Sequence, residues 1–64
     1  MINEVKVLRL SKGWSQEELA KALGVSRQAI NAIERDKHDP SLKLAFLLSE
    51  LFEKPIEDIF HGAG

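Results

Sequence analysis

The sequence predicts an all-α fold of five short helices, and three observations carry that prediction. Apolar residues recur in short runs at the spacing of one helix face. A helix-start signal stands in front of each run. Strand signals are missing, with no β-branched alternation and no Asn-Gly or Asp-Gly dipeptide to close a hairpin.

The first helix is expected to open at Asn3 as its cap and to run to about Lys12, with Val5 and Leu8 on one face and Gly13 ending it. Ser15-Gln16-Glu17-Glu18 then reads as a capping box. The Ser15 oxygen takes the amide of Glu18, and the Glu18 side chain reaches back to the amide of Ser15. Trp14 before the cap and Leu19 inside the helix have the spacing of a hydrophobic staple. Gly24 stops this second helix, because a left-handed residue there satisfies the last carbonyls. Ser26 starts the third helix, which ends near Arg35-Asp36. Val25 and Ile30 repeat the staple spacing, and Ile30 with Ile33 makes an apolar seam. Asp39 or Ser41 caps the fourth helix, along which Leu44, Leu47, Leu48 and Leu51 stack while Leu42, Ala45, Phe46 and Phe52 widen the apolar surface. Pro55 opens a short fifth helix from Ile56 to about Phe60, and His61-Gly62-Ala63-Gly64 reads as a frayed tail. No repeat, low-complexity tract or linker divides the chain, so residues 1–64 are expected to form one domain.

Size and composition then restrict what such a domain can do. A chain of 64 residues buries only about 60% of the surface its unfolded form exposes, so its core is marginal. Domains of this size rely on disulfides, a metal, oligomerisation or tight helix packing. Cysteine is absent, and His38 and His61 make no ligand spacing, so neither a metal nor a cofactor is expected. Helix packing and self-association remain. No apolar run approaches about 18 residues and no signal peptide opens the chain, so a soluble, cytoplasmic protein without a membrane partner is expected. No ligand domain for a small molecule is evident. Catalysis would need a nucleophile or an acid–base pair in a sheltered pocket, which a chain this small cannot enclose. Glu17, Glu18, Glu57 and Asp58 read as solvated charge and capping, Trp14 as a packing residue and His38 as a turn residue, so no catalytic residue is assigned.

The formal net charge of −1 conceals an asymmetry. Residues 1–38 carry seven bases against five acids, whereas residues 39–64 carry two against five. A mildly basic front suits a domain that offers one face to DNA. The stretch 16–35 supplies that face, as two helices of about eight residues joined by a turn of about three. Ala20 sits where two steeply crossing helices need a small side chain, and Gly24 relieves the corner. Leu19, Leu23, Val25, Ile30 and Ile33 point to one side. Arg27, Gln28, Asn31, Ala32 and Arg35 are left outward, a polar face without a carboxylate. Arginine reads guanine, glutamine and asparagine read adenine, and a small apolar side chain meets the thymine methyl. At 1.5 Å per residue the helix spans roughly 13 Å, a fit to the major groove.

The spacing Gln16-x3-Ala20-x3-Gly24-x5-Ile30-x2-Ile33 resembles the helix-turn-helix signature of the lambda repressor-like, Xre-type family. Leu8-Arg9, Ser26-Arg27-Gln28, Ile33-Glu34, Pro40-Ser41-Leu42 and Ile56-Glu57-Asp58-Ile59-Phe60 resemble its flanks over nearly the whole chain. The resemblance implies a five-helix DNA-binding domain that acts as a dimer on operators, a small prokaryotic or phage-type transcriptional regulator. It implies base contacts from Arg27, Gln28, Asn31 and Ala32, phosphate contacts from Gln16, Ser26, Arg35 and Lys37, and a tie between Arg9 and Glu34 from the first helix to the end of the third. Arg35-Asp36-Lys37 stands where the family often has Asn-Gly-Lys, so Asp36 must take the left-handed turn position and sets an acid near phosphate. Val7 and Leu47 are apolar where such helices usually carry a charge.

Leu47, Leu51, Ile56, Ile59 and Phe60 offer more apolar surface than one small core absorbs, so a homodimer built from the fourth and fifth helices is expected. The competing reading is a protein-interaction or antitoxin-like module on the same fold. Carboxylates on the third-helix face would favour it.

Overall fold

Three of the five helices start on a serine whose hydroxyl satisfies an amide of the first turn. The computed structural model describes residues 1–62, in the order β1 (Ile2–Asn3), α1 (Val5–Ser11), α2 (Gln16–Leu23), α3 (Arg27–Glu34), α4 (Leu42–Phe52), α5 (Ile56–Ile59) and β2 (Phe60–His61). Ser15 Oγ accepts from the Glu18 amide at 3.0 Å, Ser26 Oγ from Ala29 at 3.1 Å and Ser41 Oγ from Leu44 at 3.1 Å. Of the two candidate caps for α4, Ser41 is the one used. The capping box on α2 is complete, since the Glu18 carboxylate accepts from the Ser15 amide at 2.8 Å. Hydrogen bonding from the Ser15 amide is the main cause that holds the Glu18 carboxyl below the usual glutamate range.

The first helix begins one residue later than the sequence suggests. Its cap is Glu4, and Asn3 instead contributes its side-chain oxygen, which accepts from the Val5 amide at 3.0 Å. Asn3 is displaced because it belongs to a strand. β1 and β2 pair antiparallel with Ile2 opposite His61 and Asn3 opposite Phe60, and the Glu4 amide donates to the Ile59 carbonyl at 2.8 Å. Two-residue strands show no alternation, so no pattern announces them. His61, expected in a frayed tail, is therefore a paired residue whose Nε2 lies 3.1 Å from Glu4 Oε2. The remainder of that tail is described as far as Gly62; positions 63 and 64 lie outside the described residues.

Val5, Leu19, Ile30, Leu48 and Ile59 are fully buried and bring one side chain each from α1, α2, α3, α4 and α5 to a common core. Trp14 packs on its rim, its ring tilted 34° and 6.1 Å from that of Phe52. Two residues expected at a dimer face are spent here: Ile59 is 0% exposed and Phe60 7%. Phe60 follows α5 directly into β2, and the ribbon turns its ring inward. Leu47, Leu51 and Ile56 are half-buried, while Leu42 and Phe46 on α4 stand out at 70% and 52%. No helix among the described residues is long and apolar enough to cross a membrane.

α4 ends on Glu53, in the left-handed conformation at φ 54°. A Cβ is crowded there by the following carbonyl, whereas glycine is not. Glu53 is exposed, and its side chain makes no hydrogen bond or ion pair among the described residues. Glu53→Gly is therefore expected to stabilise the fold by about 0.5–1 kcal/mol net of glycine's larger chain entropy. Urea unfolding measures it, and an unchanged or lower midpoint contradicts it.

Candidate nucleic-acid interface

The corner between α2 and α3 is set by one backbone conformation. Gly24 closes α2 at φ 72°, which lets the Val25 amide return to the Ala20 carbonyl at 3.0 Å. Ala20 is 3% exposed beneath the crossing. Ser26 then starts α3, so only three residues separate the two helices. Ile30 and Ile33 turn one side of α3 into the core, and the other side is left to solvent. Arg27 and Gln28 are exposed on that outer side, and Asn31 and Ala32 are half-buried beside them. Arg35 and Lys37 are exposed just beyond the helix end. Ser26 is exposed, with its hydroxyl engaged in capping.

Behind α3 lies a buried polar chain. Arg9 faces Glu34 side-on, with Nε donating to Oε2 at 2.7 Å and Nη2 to Oε1 at 3.1 Å. Nη1 donates to the Trp14 carbonyl at 2.7 Å, so the guanidinium also fastens the entry to α2. The two side chains are 8% and 2% exposed. Hydrogen bonding to Glu34 is the main cause that raises the Arg9 pKa, with desolvation opposing it. Gln16 joins the pair, its Nε2 donating to Glu34 Oε1 at 3.0 Å, and Asn31 Nδ2 donates to Gln16 Oε1 at 3.4 Å. No buried side-chain nitrogen or oxygen among the described residues lacks a partner. α3 carries a single carboxylate, Glu34, and this chain draws it away from the outer face.

The structure thus brings Arg27, Gln28, Asn31, Ala32 and Gln16 together along one side of the α2–α3 corner. Arg35 and Lys37 extend that side past the helix end, where Asp36 turns the chain at φ 59°. A residue that the sequence offers only as a helix cap braces this turn. Asn3 Nδ2 donates to the Ile33 carbonyl at 2.7 Å and to Asp36 Oδ1 at 3.1 Å, tying β1 to the end of α3. No local pattern foretells that tie, or the inward use of Gln16, because both join residues far apart in sequence. Among the described residues no three of His, Cys, Asp and Glu cluster as metal ligands would.

A family model described as helix-turn-helix matches residues 5–59. The chain is 57% identical over 60 residues to an uncharacterized HTH-type transcriptional regulator of Methanocaldococcus jannaschii, covering 94% of this chain and 91% of that one. It is 45% identical over 60 residues to an uncharacterized HTH-type transcriptional regulator of Bacillus subtilis, covering 94% and 91%. Among solved structures it is similar to the restriction-modification controller protein C.AhdI of Aeromonas hydrophila, with a TM-score of 0.78 and 30% identity over 89% of this chain and 86% of that one.

Two charges held this far from water resist the loss of one partner more than the loss of both. Glu34→Leu or Arg9→Met is expected to cost about 3–5 kcal/mol, because each leaves a buried charge unpaired. Arg9→Met with Glu34→Leu is expected to recover most of that loss. Thermal unfolding of the singles and the pair forms the cycle, and simple additivity contradicts the account.

Proposed function

The chain belongs to the lambda repressor-like helix-turn-helix family, and on that footing we propose that it regulates transcription by reading double-stranded DNA through α3. This is not an enzyme family. The observation that carries the reading is electrostatic: the outer side of α3 presents Arg27 and Gln28, while its one acid, Glu34, is 2% exposed and paired with Arg9. A helix meant to meet phosphate and base edges gains from hiding its carboxylate; a protein-binding helix has no such need.

In the proposed complex α3 lies in the major groove. Arg27 and Gln28 meet base edges, with Asn31 and Ala32 beside them. Arg35, Lys37 and the Ser26 end of α3 meet backbone phosphates. Gln16 keeps a second Nε2 hydrogen for a phosphate at the start of α2. Two copies read half-sites of a palindrome about one helical turn apart, roughly 34 Å. Their proposed contact is the outer ridge of α4, where Leu42 and Phe46 are exposed in line with Glu50, and Lys43 lies alongside. An antiparallel pairing of two α4 helices about a two-fold between Phe46 and Leu47 sets Lys43 of each copy against Glu50 of the other. It also sets Phe46 of each copy against Leu47 of the other, so that half-buried leucine contributes to the rim. The whole chain, residues 1–64, acts in this reading as one DNA-binding domain.

Binding titrations against a duplex selected from random sequence and a scrambled one, at two salt concentrations, test the DNA reading. Gln28→Ala is expected to cost about 1–3 kcal/mol on the selected duplex and to relax preference at one base pair per half-site. Lys37→Ala is expected to weaken both duplexes alike and to flatten the salt dependence, since only a cation releases counterions. Equal wild-type affinity for the two duplexes would falsify the reading and favour protein interaction. For the self-association, Phe46→Glu is expected to give a helical monomer in sedimentation where the parent chain dimerises at tens of micromolar. Identical sedimentation of variant and parent contradicts the α4 interface.

A further inference from the structure

The turn that ends α3 carries one acid between two cations, Arg35-Asp36-Lys37, and all three residues are exposed. Its backbone is fixed by two bonds, from the Asp36 amide to the Ile33 carbonyl at 3.0 Å and from the Lys37 amide to the Ala32 carbonyl at 2.9 Å. What those bonds leave open is the direction of the Asp36 side chain. Asn3 sets it. The Asn3 amide has one orientation, because its Oδ1 takes the Val5 amide at 3.0 Å and Nδ2 must then face acceptors. Nδ2 has two hydrogens and three such oxygens near it, the Ile33 carbonyl at 2.7 Å, Asp36 Oδ1 at 3.1 Å and the Met1 carbonyl at 3.2 Å. The ionised acceptor draws a hydrogen more strongly than a neutral carbonyl does. Asp36 keeps Oδ2 free, yet its carboxylate pairs with neither neighbouring cation among the described residues.

Building on the DNA reading above, we infer that Asn3 is a positioning residue for phosphate binding, holding the Asp36 carboxylate toward β1 so that Arg35 and Lys37 remain free for the DNA backbone. It acts by place, and the acid keeps its charge. Released from Asn3, an exposed carboxylate with a cation on either side gains by pairing with one of them. An exposed pair of that kind is worth little to the fold. It matters for DNA, because a cation held by Asp36 no longer neutralises a phosphate or releases its counterions. Asn3 itself touches no DNA in this reading.

Asn3→Ala tests this without altering any charge. Asn3 lies outside the buried core, and the two backbone bonds of the turn do not involve it, so the variant is expected to fold. Binding to the selected duplex is measured over a range of salt concentrations, in the parent chain and in an Asp36→Asn background. Asparagine tolerates the left-handed conformation as aspartate does, but it cannot form an ion pair. In the parent, Asn3→Ala is expected to lower the slope of log affinity against log salt by about 0.9 per copy bound, the share of one phosphate contact. In the Asp36→Asn background the same substitution is expected to leave the slope unchanged. Asn3→Ser, whose hydroxyl leaves an oxygen near the Val5 amide but is too short to reach the place of Nδ2, is run beside it and carries the same expectation. A merely structural role for Asn3, felt through the Ile33 carbonyl, lowers the slope equally in both backgrounds and overturns the inference. An unchanged slope in the parent overturns it too, while specific binding by the wild-type chain leaves the DNA reading standing. Equal wild-type affinity for selected and scrambled duplexes removes the DNA reading itself, and this inference with it.

Discussion

The buried pair of Arg9 and Glu34 is the constraint on which the rest of the structure turns. Two charges taken out of water are costly, and their attraction repays that only when the remaining donors and acceptors are also satisfied. Here they are: the guanidinium holds Glu34 twice and the Trp14 carbonyl once, and the carboxylate takes a further bond from Gln16. One side chain of α1 thereby meets the entry to α2 and the last turn of α3. The net contribution to stability need not be large for the geometric effect to be strong. A leucine pair would fill the volume, but it would offer Gln16 no acceptor. The same pairing also withdraws the single acid of α3 from its outer surface.

The ends of the chain complete the support. In so small a domain every element must share one core, and each of the five helices places a fully buried side chain there. β1 and β2 add few hydrogen bonds, yet they carry Asn3 to the end of α3 and Phe60 into the core. The turn after α3 is held by an aspartate at positive φ, whose carboxylate is bonded to Asn3. An Asx side chain tolerates that conformation better than most because its short polar group bonds locally. Asp36 is thereby tethered to the Asn3 amide, though it remains exposed.

Local chemistry made most of the helical frame legible from sequence. The caps at Ser15 and Ser26 and the stop at Gly24 each depend on bonds spanning five residues or fewer, so the letters alone announce them, whereas for α4 they leave Asp39 and Ser41 both open. Asp36 in the left-handed turn was legible for a different reason, its departure from the family's usual glycine. What escaped depends on chain ends or on distant partners. The β1–β2 ribbon is too short to show a period, and Asn3 looked like a cap because its oxygen does serve the nearby amide of Val5. Ile59 and Phe60 looked available because an apolar pair on a short helix says nothing about which side the ribbon will turn inward. The resemblance implies a phosphate contact for Gln16, and its hydrogen bonds to Glu34 and Asn31 appear only once the fold brings those residues beside it.

The central claim is that the Arg9-anchored corner of α2 and α3 is the surface that meets DNA. The most direct measurement is amide chemical-shift mapping of the full chain during titration with a duplex selected from random sequence. The account predicts the largest changes at amides from Ser26 to Lys37 and in the first turn of α2. Large changes confined to α4 and α5, with the α3 amides unmoved, would contradict it.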